Sequence, residues 1–369
     1  MNMRSLTKAF GVLLVMALVL TACPSPSPTP TEAPTKAVEP TPTTPPKPTD
    51  TPQPTAEAKE VVKVAYVPIM HFAPLYVAKE RGFFDALGLD VQLETVKSGT
   101  EAIAFLTEGQ IDVGAIAVTA GAWNAFNQGL DLRVVAPAAL KLMKGDPTKL
   151  MVRKDLYDSG EVTTAADLKG RTVAMAGGPG GGGEYLVAKA LEGSGLTVHD
   201  VEMVKIGNPD MAAAFETGAI DAALMGSPYV AQVMQAGTAV PLVEDMAPGA
   251  MTVVFVYSGK FMKERPEAAK RFMVGLMQGT RAMQGDEYLS DENMAAYLKY
   301  QKSTEEAIRA STPMLYDPNL NINEESLRDV ERVHRENGRT DYTDPVPMEN
   351  VVDYSWQRYA LMILGPYQQ

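Results

Sequence analysis

The chain has 369 residues, 46% of them hydrophobic and 21% charged, with a formal net charge of -12. Those proportions are ordinary for a globular protein. The acidic balance, with no clustered Lys and Arg, excludes nucleic acid as a partner, because phosphate binding needs such clusters. A single Cys in the whole chain excludes a disulfide framework and a Cys-based metal site. His199 and His334 have no partner at ligand spacing, so no metal and no cofactor are expected.

Arg4 and Lys8 precede an apolar run from Phe10 to Leu20, which ends in Leu20-Thr21-Ala22-Cys23. A basic start, a short apolar core and small residues before a cleavage point predict a signal peptide over residues 1–22. The run is too short to span a bilayer, which needs about 20 apolar residues. The tetrad resembles the lipobox of bacterial lipoproteins. That resemblance implies acylation of Cys23, palmitate included, and a lipid anchor on the extracytoplasmic face of the cell membrane. Residues 23–59 form a linker of Pro, Thr, Ser and Ala with no apolar periodicity, too polar to fold. At about 3 Å per residue, such a Pro-rich spacer holds a domain on the order of 100 Å from its anchor.

The folded part begins near Val61. Val62–Val67 reads as a strand, and Ala73–Arg81 as a helix ended by Gly82. Leu89–Val96 is a strand, Thr100–Glu108 a helix, Val113–Val118 a strand and Thr119–Gln128 a helix, with Val134–Ala139 again strand-like. Strands alternating with helices predict an α/β fold with mainly parallel sheets. A quasi-repeat divides it. Ala102-Ile103-Ala104-Phe105 precedes Gly109-Gln110-Ile111-Asp112 and an apolar strand. Ala212-Ala213-Ala214-Phe215 precedes Gly218-Ala219-Ile220-Asp221 and another. The first of these strands ends at Thr119 and the second at Ser227-Pro228, where Ser or Thr suits an N-cap and Pro the first helical position. Ligands of open parallel sheets sit beyond the carboxyl ends of the strands, so Thr119 and Ser227 are expected on facing walls of a cleft. Helices are predicted over 266–284, 324–337 and 351–364, packed on the first lobe.

Val64-Ala65-Tyr66-Val67-Pro68, Ala73-Pro74-Leu75-Tyr76-Val77-Ala78-Lys79-Glu80-Arg81-Gly82-Phe83-Phe84, Gly109-Gln110-Ile111-Asp112-Val113-Gly114 and Ala166-Asp167-Leu168-Lys169-Gly170-Arg171-Thr172-Val173-Ala174 resemble the nitrate/sulfonate/taurine and thiamine-precursor (also riboflavin) binding family of ABC importers. The resemblance implies a type II periplasmic-binding-protein fold, with two lobes, a hinge and an interlobe cleft. It implies a discontinuous first lobe (60–152 and 254–369) around a second (153–253), with crossings near 150–153 and 253–257. The implied partners are a small-molecule ligand, an importer permease and its ATPase, and the protein is expected to be a monomer.

Candidate ligand contacts follow from these strand ends. They are Tyr66, Met70, His71 and Phe72 after the first strand, then Ser98 and Thr119. Gly177, Gly183, Glu184 and Tyr185 lie at the glycine loop, and Ser227 and Tyr229 at the second cap. No Arg or Lys lies in segments 68–75, 98–101, 116–123, 177–185 or 226–229. Aromatic residues are plentiful there, and flat rings stack well on them. The expected ligand is therefore a flat heterocycle such as riboflavin or a thiamine-type pyrimidine; the alternative is a small anion such as an alkanesulfonate, taurine or nitrate. Trp123 and Tyr316 are further aromatic candidates. A ligand-sensing subunit is a third possibility. A pyrimidine-synthesising enzyme of similar fold uses a Cys-rich motif that one Cys cannot supply, and no Gly-x-Ser-x-Gly or His-Glu-x-x-His occurs, so no catalytic residue is expected.

Overall fold

The computed structural model describes residues 58–96, 99–301 and 303–368. The signal segment 1–22, Cys23, the linker through residue 57 and Ser98 lie outside the described residues. All described residues belong to one compact unit, Ala56–Gln369.

In chain order the strands are β1 (Glu60–Tyr66), β2 (Leu89–Thr95), β3 (Val113–Ala117), β4 (Leu132–Pro137), β5 (Lys149–Arg153), β6 (Thr172–Met175), β7 (Glu202–Lys205), β8 (Ala222–Met225), β9 (Ala239–Val243) and β10 (Val253–Ser258). They build two five-stranded sheets, ordered β2-β1-β3-β10-β4 and β7-β6-β8-β5-β9. The orders correspond position by position. The first three strands of each sheet are parallel, and the fourth runs antiparallel to both neighbours. Central strands are apolar throughout, as strands covered on both faces must be; β8 and β10 are buried along their whole length. This is a two-lobed α/β fold.

The helices used below are α1 (Ala73–Glu80), α2 (Gly99–Thr107), α3 (Ala120–Asn127), α4 (Gly182–Glu192), α5 (Met211–Glu216), α6 (Tyr229–Ala236), α7 (Pro266–Arg281), α8 (Glu324–Glu336) and α9 (Ser355–Leu364). The quasi-repeat becomes α2–β3–α3 in one sheet and α5–β8–α6 in the other, with β3 and β8 both central. Gly109 and Gly218 follow α2 and α5 at φ +65° and +68°, a conformation that stops a helix and suits Gly.

Three expectations change. Residues 150–153 are not a crossing but the body of β5 in the second sheet, so the chain crosses between Pro137 and Lys149 and returns between Val243 and Val253. The N-cap position of α6 is Pro228 rather than Ser227, and the Ser227–Pro228 peptide is cis. Val351 and Val352 pair beside β4 instead of opening α9; Val134 N–H donates to Val351 O at 2.8 Å. The C-terminal helices also divide their packing. α7 lies on α1 and α9, whereas α8 touches α3 and α4 and so bridges the two sheets' helices.

Candidate binding site

The carboxyl ends of β1, β3, β6 and β8 meet around a cavity of about 210 Å³. One wall carries Val67, Ile69, His71, Phe72, Thr100 and Thr119. The other carries Gly177, Gly181, Gly182, Gly183, Leu186 and Ser227, and the crossing segments contribute Lys141, Thr148 and Thr252. A roomier groove of about 700 Å³ beside Arg153, Lys154 and Glu216 lies at the amino end of β8. That is the wrong end for a parallel-sheet ligand.

Of the residues singled out from the sequence, His71, Phe72, Thr119, Gly177, Gly183 and Ser227 come together on this cavity. Phe72 is buried, its ring edge-on to Phe255 with centroids 6.0 Å apart. The Thr119 hydroxyl accepts the Ala122 N–H at 3.2 Å, capping α3. A Cβ on Gly183 would sit 2.9 Å from a terminal methyl of Leu224, which would have to shift. The hydroxyl of Ser227 meets that of Ser311.

The others lie elsewhere. Tyr66 points into the core, edge-on to Tyr76 and Tyr300. Met70 is buried against Gln301, whose amide donates to its sulfur at 2.8 Å, and it borders only a small void beside Ser227. Tyr316 is buried beneath it, donating to Met70 O. The Tyr185 hydroxyl donates to Asp329 at 2.8 Å, between α4 and α8. Burial and that carboxylate push its pKa up. Tyr229 is half-buried in a cluster with Met211 and Phe215. Trp123 is core, packed on Phe126. Glu184 is fully buried outside the cavity lining; its carboxylate accepts from Gly180 N–H at 2.6 Å and Arg339 Nε at 2.9 Å.

The expectation of a cleft without cations is corrected by Lys141. Its side chain is buried on the cavity, and Nζ donates to Thr148 Oγ1 at 2.7 Å and Asp146 Oδ1 at 3.3 Å. Burial pushes its pKa down, with Asp146 opposing. An ammonium has three donors, and these contacts use two. Lys141 falls in the crossing, outside the strand-end segments. The signal present was a lone Lys inside the apolar run Val134–Met143. Beside it, His71 Nδ1 is buried with no partner among the described residues. Burial first, then the Lys141 charge, pull the pKa of His71 down to about 3, with Asp146 opposing. Its ring is therefore neutral near pH 7. Among the described residues no group of three or more His, Cys, Asp and Glu is placed to hold a metal, and no helix is long and apolar enough to cross a membrane.

Residues 69–286 match the family described as NMT1/THI5 like. The chain belongs to this family. RibY, the riboflavin-binding protein of Chloroflexus aurantiacus, is 29% identical over 223 residues, which are 58% of this chain and 55% of RibY. The alkanesulfonate-binding protein SsuA of Xanthomonas axonopodis pv. citri, solved bound to MOPS, shares the fold at a TM-score of 0.64 and 17% identity, over 80% of this chain and 99% of SsuA. The desulfurization enzyme DszB shares it at a TM-score of 0.56 and 16% identity, over 83% of this chain and 99% of DszB. The architecture is that of the periplasmic solute-binding proteins.

Proposed function

We propose that this chain is the lipid-anchored, extracytoplasmic binding component of an ABC importer, and that its cleft captures a small flat heterocycle of vitamin type, such as riboflavin or a thiamine-type pyrimidine. The observation that carries this reading is the division of the cavity lining. Val67, Ile69, Leu186, Leu224 and Met225 give apolar surface, while neutral His71 and the Lys141–Thr148 pair give one polar cluster, with Thr100, Thr119, Asn208, Ser227 and Thr252 as further polar lining. A ring with carbonyl or ring-nitrogen groups along one edge matches both. Its faces gain by burial, and its edge meets a free imidazole nitrogen and an N–H donor. Aliphatic side chains supply the walls, with Phe72 the one aromatic among them. The 29% likeness to riboflavin-binding RibY supports the same ligand class. In this reading the lobes are built on the two sheets and close about crossing segments 138–148 and 244–252.

One observation favours a second reading. The Lys141 ammonium and the amino end of α4 both suit an anion, so a small sulfonate is the alternative. Lys141 already has Asp146 as counter-charge at 3.3 Å, which is why the neutral ligand is preferred. Catalysis is the weaker idea despite DszB, because the chain's one Cys is Cys23, ahead of the folded unit.

A thermal-shift panel decides between them, because a ligand that binds only the folded state raises the melting temperature. Riboflavin or a thiamine-type pyrimidine should raise it, while taurine, an alkanesulfonate and nitrate should not. A rise with the sulfonate alone overturns the heterocycle in favour of the second reading.

A further inference from the structure

Glu184 is fully buried, yet it borders no part of the cavity. A buried carboxylate is costly unless it is paired and hydrogen-bonded, and this one is both. It accepts the Gly180 N–H at 2.6 Å, Arg339 Nε at 2.9 and 3.0 Å, and the Asn337 amide at 3.3 Å. Gly180 belongs to the glycine loop, whose next residues, Gly181 and Gly182, line the cavity. Arg339 and Asn337 follow α8, the helix that touches both α3 and α4.

The other side of Gly180 is also committed. Its carbonyl accepts the Ala120 N–H at 3.0 Å, and Ala120 follows Thr119 on the opposite wall. One loop residue is therefore held from behind by an ion pair whose carboxylate is fully buried and from in front by the facing lobe. A Cβ on Gly182 would collide with the Ala117 side chain at the end of β3, so the two walls are in contact at this seam. A Glu in the first turn of a helix complements the helix dipole without help. The Arg339 and Asn337 contacts exceed that role and tie the loop to the segment after α8.

We propose that Glu184 and Arg339 are positioning residues for ligand capture: they hold Gly180 against Ala120 and so set the spacing of the two cleft walls. The proposal rests on the reading that this cavity takes a small ligand, which neither side chain touches. Buried networks of this kind act as a unit, so losing one member releases the loop.

The test reads amide hydrogen exchange, by mass spectrometry, on the ligand-free full chain, since exchange resolves local opening from global unfolding. Arg339→Met should speed exchange at least tenfold in peptides covering 177–183 and 118–123 and leave those of β1 and β8 unchanged. Arg339→Lys should restore part of the protection. In the same variants the Kd for riboflavin should rise about tenfold with Met and less with Lys. Unchanged exchange in the two seam peptides overturns the proposal. So does equal acceleration in β1 and β8, which is general destabilisation. If Arg339→Met fails to fold, Asn337→Ala removes one donor and strands no charge. It should speed the seam peptides alone, and no change or uniform change counts against the clasp. A wild-type chain that binds neither riboflavin nor a thiamine-type pyrimidine sinks the ligand reading, while exchange alone still decides the clasp.

Discussion

Asp112 and Asp221 hold the same station in the two sheets. Asp112 accepts the Lys63 N–H at 2.9 Å, and Asp221 accepts the Thr172 N–H at 3.0 Å. Each precedes the central strand of its sheet and accepts a backbone N–H from the strand beside it. Each also meets arginine, Arg265 for Asp112 and Arg153 for Asp221. Asp112→Ala and Asp221→Ala should therefore each cost about 1–3 kcal/mol, by stranding a backbone donor and losing a charged acceptor. Urea midpoints of the two variants check this; a loss in one alone would break the equivalence.

Gly182→Ala should cost about 1–3 kcal/mol, because the new methyl has to displace Ala117 in a packed seam. Ala117→Gly in the same chain should recover part of that loss by clearing the space. A double variant no more stable than Gly182→Ala would mean that the two residues are not in conflict.

Lys141→Met should raise the Kd for the bound heterocycle roughly tenfold or more, the worth of a hydrogen bond from a charged donor. The fold should survive, since Asp146 keeps the Leu142 and Thr148 N–H bonds at 2.9 and 2.8 Å. Calorimetry with riboflavin measures the change, and circular dichroism confirms the fold.

His71 links stability to pH. Burial and Lys141 lower its pKa from 6.5 to about 3 when folded, against the pull of Asp146. Unfolded chain takes up this proton near pH 6.5, whereas folded chain takes it up only near pH 3. The folded state is thus penalised progressively as pH falls across that window, by about 1.4 kcal/mol per unit, and not at all above it. Buried His334, its pKa lowered first by burial, adds in the same direction. Between pH 7 and 4.5 the wild type should lose about 2–3 kcal/mol more than His71→Asn. Denaturation at the two pH values reads the difference.

Local pattern made much of this fold legible. Strand alternation, the Gly stops and the repeated Asp each act over a few residues, and the matched sheets follow from them. The cleft was legible only where a strand end supplied it, as at His71, Phe72 and Thr119. Phase decided the rest. Tyr66 ends β1 and Val67 follows it, and the two side chains part, one into the core and the other onto the cavity. Tyr185 and Leu186 stand about 100° apart on α4, so Tyr185 reaches Asp329 while Leu186 lines the cleft. Lys141 was out of reach for another reason. It enters the site through a crossing whose position depends on how two distant sheets meet.

The exchange of antiparallel strands has a consequence for assembly. β10 lies between β3 and β4 in the first sheet, although it ends at Ser258 of a 369-residue chain. A chain emerging amino end first therefore presents β1 to β4 with a vacant slot between β3 and β4, and only after the whole second sheet has emerged does the missing strand arrive. Closing that gap joins residues more than a hundred positions apart, a slow non-local step. The first sheet is thus finished last, after every strand of the second has emerged.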